Sequence, residues 1–187
     1  MENEKGKKKA QWYVMRAYKR EREVEKLLSE DFGLEHFIPK QKSIRSRNGK
    51  KVICMEPVIR SFVFVYATHK QIVDFKRYYC NDLQFVLWKS DDAPVYLTVP
   101  TGQMESFIKV CEQKEKEVHF YRPNEINIDT INIEKGQKVK VHGGPFDKVE
   151  GYFMKIAKKR GRQLVVIIPD LLIATAEVEP EFLEIVK

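Results

Sequence analysis

The chain has 187 residues, 43% of them apolar, and 34 Lys and Arg against 27 Asp and Glu give a net charge of +7. That length allows one large domain or two small ones, and no apolar run is long enough to span a bilayer, which leaves a soluble globular protein. Cys54, Cys80 and Cys111 are odd in number, widely spaced and without a C-x-x-C pair, which argues against a disulfide framework or a zinc site and for reduced thiols in a cytoplasm. The charge is uneven: residues 1–51 hold 15 basic against 8 acidic side chains, whereas the rest carries 19 of each. A surplus confined to the first third of a chain reads as an electrostatic footprint.

Residues 1–10 are lysine-rich without the apolar stretch of a secretory signal and read as a disordered leader. Trp12 to Ala17 is aromatic and β-branched and predicts a strand. Lys19 to Phe32 predicts a helix, with Val24, Leu27, Leu28 and Phe32 on one stripe and Gly33 as its C-terminal cap. Glu35 to Lys40 reads as a second strand, with Pro39 at its edge or end. Lys42 to Cys54, centred on Asn48-Gly49, reads as a basic hairpin or loop. Arg60 to Tyr66 is a third strand, and Thr68 can cap a helix that buries Ile72, Phe75 and Tyr79. Leu83 to Trp88 and Val95 to Val99 are short strands around a turn. Pro100-Thr101 opens a helix with Met104, Phe107, Ile108 and Cys111 at helical spacing. Trp12 is expected in the core.

Residues 11–112 thus predict an α+β domain, an antiparallel sheet with packed helices. The charged run Gln113 to Glu117 and Arg122-Pro123-Asn124 make 113–130 a flexible linker. From 131 to 187 only strand signals recur, at Gln137 to His142, Gly151 to Ile156, Leu164 to Ile168 and Ala176 to Val178, which suggests a small SH3-like β-barrel. Lys158 to Arg162 reads as a basic hairpin tip.

The sharpest motif opens that second domain. Val139 and Val141 alternate with Lys138, Lys140 and His142, then Gly143-Gly144-Pro145 reverses the chain, Phe146 folds back as a lid, and Gly151 starts the next strand. This resembles the KOW motif (Val139, Val141, Gly143, Gly144, Pro145, Phe146, Gly151). Trp12-Tyr13-Val14, a helix, and then Phe62-Val63-Phe64-Val65 resemble the NusG N-terminal domain. Both likenesses occur in order from Trp12 to Lys187, and the chain is identified as a member of the NusG family.

That resemblance implies a transcription elongation or antitermination factor. It would bind the RNA polymerase clamp through its N-terminal domain and contact nearby non-template or upstream DNA, with nascent RNA as a further partner. Phe62 and Phe64 point to one face of their strand; the residues alone allow an exposed anchor or core, and the resemblance assigns them to polymerase binding. Val63 and Val65 then become core. Lys19, Arg20 and Arg22 oppose the dipole at their helix start, so local stability does not explain them. Together with Lys42, Arg45, Arg47, Lys50 and Lys51 they are the candidate nucleic-acid contacts, although a solvated loop would carry the same charges. Base-specific readout cannot be inferred from Arg and Lys, which serve phosphate and base edges alike.

Two departures bear on the subfamily. Housekeeping members usually carry Gly just before the aromatic strand residue, where this chain has Ser61. Their barrel segment Phe-Gly-Arg-x-Thr-Pro-Val is replaced here by Ile168 to Thr175. The pattern resembles specialised paralogues of the UpxY and RfaH type, acting at selected operons, and leaves the barrel's partner unnamed. Some of these paralogues refold the barrel as helices; the β-favouring Leu164 to Ile168 run and Gly143-Gly144-Pro145 oppose that. The alternatives are an RNA-binding ribosome-associated KOW protein and a housekeeping NusG coupled to Rho-dependent termination. No catalytic, metal or phosphate-loop constellation emerges, so neither enzymatic activity nor a cofactor is expected, and the chain is read as a cytoplasmic monomer.

Overall fold

A computed structural model describes residues 9–18, 20–88, 93–122, 125, 137–156, 160–169 and 171–186. The predicted leader up to residue 8 and the candidate contact Lys19 lie outside them, as do Lys158 and Lys159 of the basic tip. The chain divides into two compact units, Met1–Pro100 and Thr101–Lys187. Among the described residues no helix is long and apolar enough to cross a membrane.

The first unit is built on β1 (Gln11–Arg16), β2 (His36–Phe37), β5 (Phe62–Ala67), β6 (Gln84–Phe85) and β9 (Thr98–Val99), all antiparallel. β5 lies between β2 and β1, while β6 and β9 follow one another along the other edge of β1. Alternation explains the core. Tyr13, Met15, Val63, Val65 and Ala67 face the same side and pack with Val24 and Leu28 of α1 (Glu21–Lys26, continued by a π-helical turn, Leu27–Asp31). Ile72 and Phe75 of α2 (His69–Tyr78) join them. The predicted stripe and cap are thus present: Gly33 takes φ +57°, and the Leu34 N–H returns to the Leu28 carbonyl at 3.0 Å. Thr68 caps α2 reciprocally with Gln71. Tyr79 was expected in the core and is exposed instead, because α2 ends at Tyr78 and the chain turns there; its ring lies tilted against Phe32, 4.1 Å between centroids.

The basic segment is ordered as a long ribbon of β3 (Lys40–Arg47) and β4 (Lys50–Pro57) joined at Asn48-Gly49. Both turn residues have positive φ, 52° and 73°, the geometry that makes Asn-Gly a tight hairpin connection. A second ribbon pairs β7 (Leu87–Trp88) with β8 (Val95–Tyr96).

The second unit differs from the expected domain limits. α3 (Thr101–Glu112) belongs to it and packs on three of its strands, β12 (Glu150–Lys155), β13 (Arg162–Ile168) and β14 (Leu172–Ala176). Ser106 Oγ accepts from the Glu150 N–H at 3.0 Å, and the Gln113 amide donates to the Pro145 carbonyl at 3.0 Å. Val110 rather than Cys111 fills the last buried turn of the helix. Inside the segment read as a linker, β10 (Val118–Tyr121) pairs with β14 and closes that side of the sheet. The full order is β10-β14-β13-β12-β11-β15, with β11 at Gln137–Val141 and β15 at Leu183–Ile185. The fourth strand begins four residues earlier than expected, since Leu172 and Ile173 are buried with Ala174 and Ala176.

Candidate nucleic-acid and protein interface

The turn motif of the second unit is built as its residue types require. Gly143 and Gly144 take φ +86° and +64° and carry the Phe182 ring above them, where an added Cβ would stand 3.6 to 3.7 Å from it. Phe146 is buried, and the Lys148 N–H returns to the Val141 carbonyl at 2.7 Å. Asp147 accepts from the Gly143 N–H at 2.7 Å; that bond, aided by Lys109, Lys148 and His142, outweighs desolvation and holds the carboxyl below its ordinary range. His142 lies on the surface against Glu184.

The two candidate anchor rings part company. Phe64 sits mid-strand in β5, opposite Val14 and Phe37 on its two neighbours, and has no exposed surface. The expectation of two exposed rings is therefore corrected to one. Phe62 is half-buried at the strand start, and the Arg16 guanidinium lies 5.0 Å from its ring centroid. Arg16 also lies 5.9 Å from the exposed ring of Tyr18. Trp12 is buried, as expected, and so is Tyr13. Sequence reasoning missed the second ribbon as a surface: Leu87, Trp88, Val95 and Tyr96 are all exposed. Their two-residue strands are too short for periodicity to show which side faces solvent.

The basic residues fall into two groups. Arg20 is engaged by Glu23 and Asp82, which hold its guanidinium charged, so it is committed within the domain. Arg45 is held by Glu56, and the pairing lowers the pKa of that carboxyl. Arg22, Lys42, Arg47, Lys50 and Lys51 form no ion pair among the described residues, and all are exposed. Desolvation pushes the Cys54 thiol up, with Glu56 adding to it, while Arg45 and Arg22 pull it down; Arg22 therefore lies beside the ribbon. Lys40 fixes the ribbon base to Glu25, Nζ to Oε1 at 2.6 Å. Among the described residues no group of three or more His, Cys, Asp or Glu could hold a metal ion.

A helix-backed antiparallel domain that projects a cationic ribbon is thus the class of structure defined. Residues 10–99 match the NusG family model, described as transcription termination factor nusG, and the chain carries a NusG-family domain over that span. That domain supports a role in transcription in general terms. A solved structure, "Domain interaction in Thermotoga maritima NusG", is 20% identical, covers 96% of this chain and 98% of that one, and has a TM-score of 0.42, too low to carry an argument. No curated protein matches.

Proposed function

We propose that this protein is a transcription elongation factor of the antitermination kind. It binds RNA polymerase through the Phe62 edge of its first unit and steadies nearby DNA with the ribbon β3–β4. The observation that carries the reading is the ribbon's charge. Lys40, Lys42, Arg45, Arg47, Lys50 and Lys51 lie between residues 40 and 55, and no Asp or Glu does. Such a surface gains affinity for a polyanion by releasing counterions. The NusG domain supports polymerase as the protein partner, and the Arg16-supported Phe62 is an aromatic anchor of the type that dominates such interfaces.

Action at selected operons, in place of a housekeeping role, is supported by the second unit. The stretch Leu172–Ala176, where housekeeping relatives present a partner-binding segment, is a fully buried strand here. The test is co-sedimentation of the full chain with core polymerase, followed by a termination assay on one template with and without Rho. Binding that is lost in Phe62→Ala, with readthrough raised by the wild type, supports the reading. Termination stimulated in the presence of Rho would replace it with the housekeeping function.

A further inference from the structure

The ribbon's two faces differ in chemistry, and the difference points beyond phosphate binding. Residues directly opposite in an antiparallel pair share a face. The pairs Lys42↔Met55, Ile44↔Ile53 and Ser46↔Lys51 therefore make one face, and Gln41, Ser43, Arg45, Arg47, Lys50, Val52, Cys54 and Glu56 make the other. Ile44 is 69% exposed, Ile53 70% and Met55 51%. Among the described residues β3 and β4 pair only with each other, so the ribbon's edges are free, and the exposures show that this face is open. The apolar strip is bounded by Lys42 and Lys51, which form no ion pair among the described residues.

We propose that the Ile44–Ile53 pair, with Met55, is an apolar wedge that enters a DNA duplex at an opening base step while the surrounding cations hold the phosphates. The inference rests on the nucleic-acid role proposed above and names the form of DNA that the ribbon selects. Three observations choose this occupant. The ribbon has no carboxylate between residues 40 and 55, so an apolar protein partner would have to bring an acidic rim. It has no aromatic ring between residues 40 and 55 either, and rings are what single-strand binders use to stack bases. Isoleucine and methionine are instead wedge residues, which part base steps when a protein lies in the minor groove. Strands of eight residues reach about 27 Å, roughly four-fifths of a turn of DNA, and Ile44 stands three residues from Arg47, so tip and wedge can engage one site together.

The test is fluorescence anisotropy with the full chain and two labelled duplexes, one fully paired and one with a short central mismatch that prepays unstacking. The wild type should favour the mismatched duplex by roughly tenfold. Ile44→Ser with Ile53→Ser, placed on an exposed face and checked by an unchanged melting curve, should bring that ratio close to one and leave the salt dependence intact. Arg47→Gln with Lys50→Gln should reduce the log–log salt slope by roughly 2 and keep the ratio. Equal binding of the two duplexes by the wild type, or an unchanged ratio in the isoleucine variant, overturns the wedge alone. No binding to either duplex removes the nucleic-acid reading as well. Loss of polymerase binding in the isoleucine variant, with no duplex preference in the wild type, assigns the face to a protein and overturns the proposal.

Discussion

The backbone N–H of Ser61 donates to the carboxylate of Glu21, which ties the entry of the central strand β5 to the first residue of α1. The Ala17 N–H closes the same corner on the Ser61 carbonyl at 2.7 Å. Ser61 pays a conformational cost for this position, because its φ is +70°. A side chain in the left-handed region costs about 1–2 kcal/mol, whereas glycine there costs only its greater unfolded-state freedom, about 0.5–1 kcal/mol. Ser61→Gly should therefore stabilise the first unit by about 0.5–1 kcal/mol, read by urea unfolding through tryptophan fluorescence. A loss of stability would mean that the serine hydroxyl holds the corner.

Gly151 and the Val165 carbonyl define the tightest approach in the second unit. A Cβ at Gly151 would lie 2.6 Å from that backbone oxygen and 3.1 Å from Leu164 Cδ1. Backbone on the neighbouring strand cannot withdraw without breaking the β12–β13 pairing. Gly151→Ala should destabilise this unit by about 1–3 kcal/mol, measured by circular dichroism melting, with the first unit unaffected. An unchanged melt would show that the strands slide apart freely.

These two glycine-type positions also show what the sequence made legible. The Gly143-Gly144-Pro145 turn, the caps at Gly33 and Thr68 and the Asn48-Gly49 hairpin rest on local backbone chemistry, so residue identity was enough to find them. β10 was not found, because four residues behind a charged run and before Arg122-Pro123 give too short a pattern, and only pairing with β14 makes them a strand. Helix α3 was recognised, but which unit it joins depends on long-range packing that periodicity does not encode. At the candidate site, alternation placed Phe62 and Phe64 on one face correctly. It could not tell that mid-strand Phe64 is enclosed while Phe62, beside the Ser61 corner, keeps an open edge. Charge alone likewise could not separate Arg20 and Arg45, which are spoken for by carboxylates, from Lys42, Arg47, Lys50 and Lys51.

Phe62 and Phe64 should consequently fail in different ways. Phe62→Ala should lower polymerase affinity by roughly 30-fold or more with little change in folding, as expected for an aromatic anchor. Arg16→Gln, which removes the cation over that ring, should cost roughly two- to fivefold, the scale of an exposed cation–π contact. Phe64→Ala should act through stability, at about 3–5 kcal/mol for a buried phenylalanine. Affinity titrations and urea unfolding on the same three variants separate these effects. Equal affinity losses in folded Phe62 and Phe64 variants would remove the distinction.

The Asp147 carboxylate gives the second unit a sensitivity to acid. Its folded pKa lies below the ordinary 3.8, first because the Gly143 N–H bonds the charged form. A depressed folded pKa contributes stability that is complete above the unfolded value and disappears as the pH falls through the folded one. Asp147→Ala should therefore lower the melting temperature at neutral pH. The gap from wild type should narrow as the pH falls through 3.8 and then through the lower folded value, below which the carboxylate is protonated in both states. A gap that stayed constant into acid would mean that the side chain acts by shape rather than by charge.

The last expectation concerns where the second unit begins. β10 supplies backbone partners to β14 at Val118↔Ala176 through Tyr121↔Ile173, and β14 is buried along its whole length. A fragment of residues 131–187 removes that partner and leaves a long apolar edge strand open, the arrangement that templates aggregation. It also removes α3 and the residue that follows it, so that Ser106 and Gln113 no longer satisfy backbone groups at Glu150 and Pro145. A fragment of residues 101–187 keeps both. The longer fragment should melt cooperatively with a β-dominated spectrum that includes one helix, and the shorter one should melt at lower temperature or self-associate, as read by circular dichroism and analytical ultracentrifugation. Equal stability of two monomeric fragments would restore 131–187 as the folding unit and make β10 and α3 passengers.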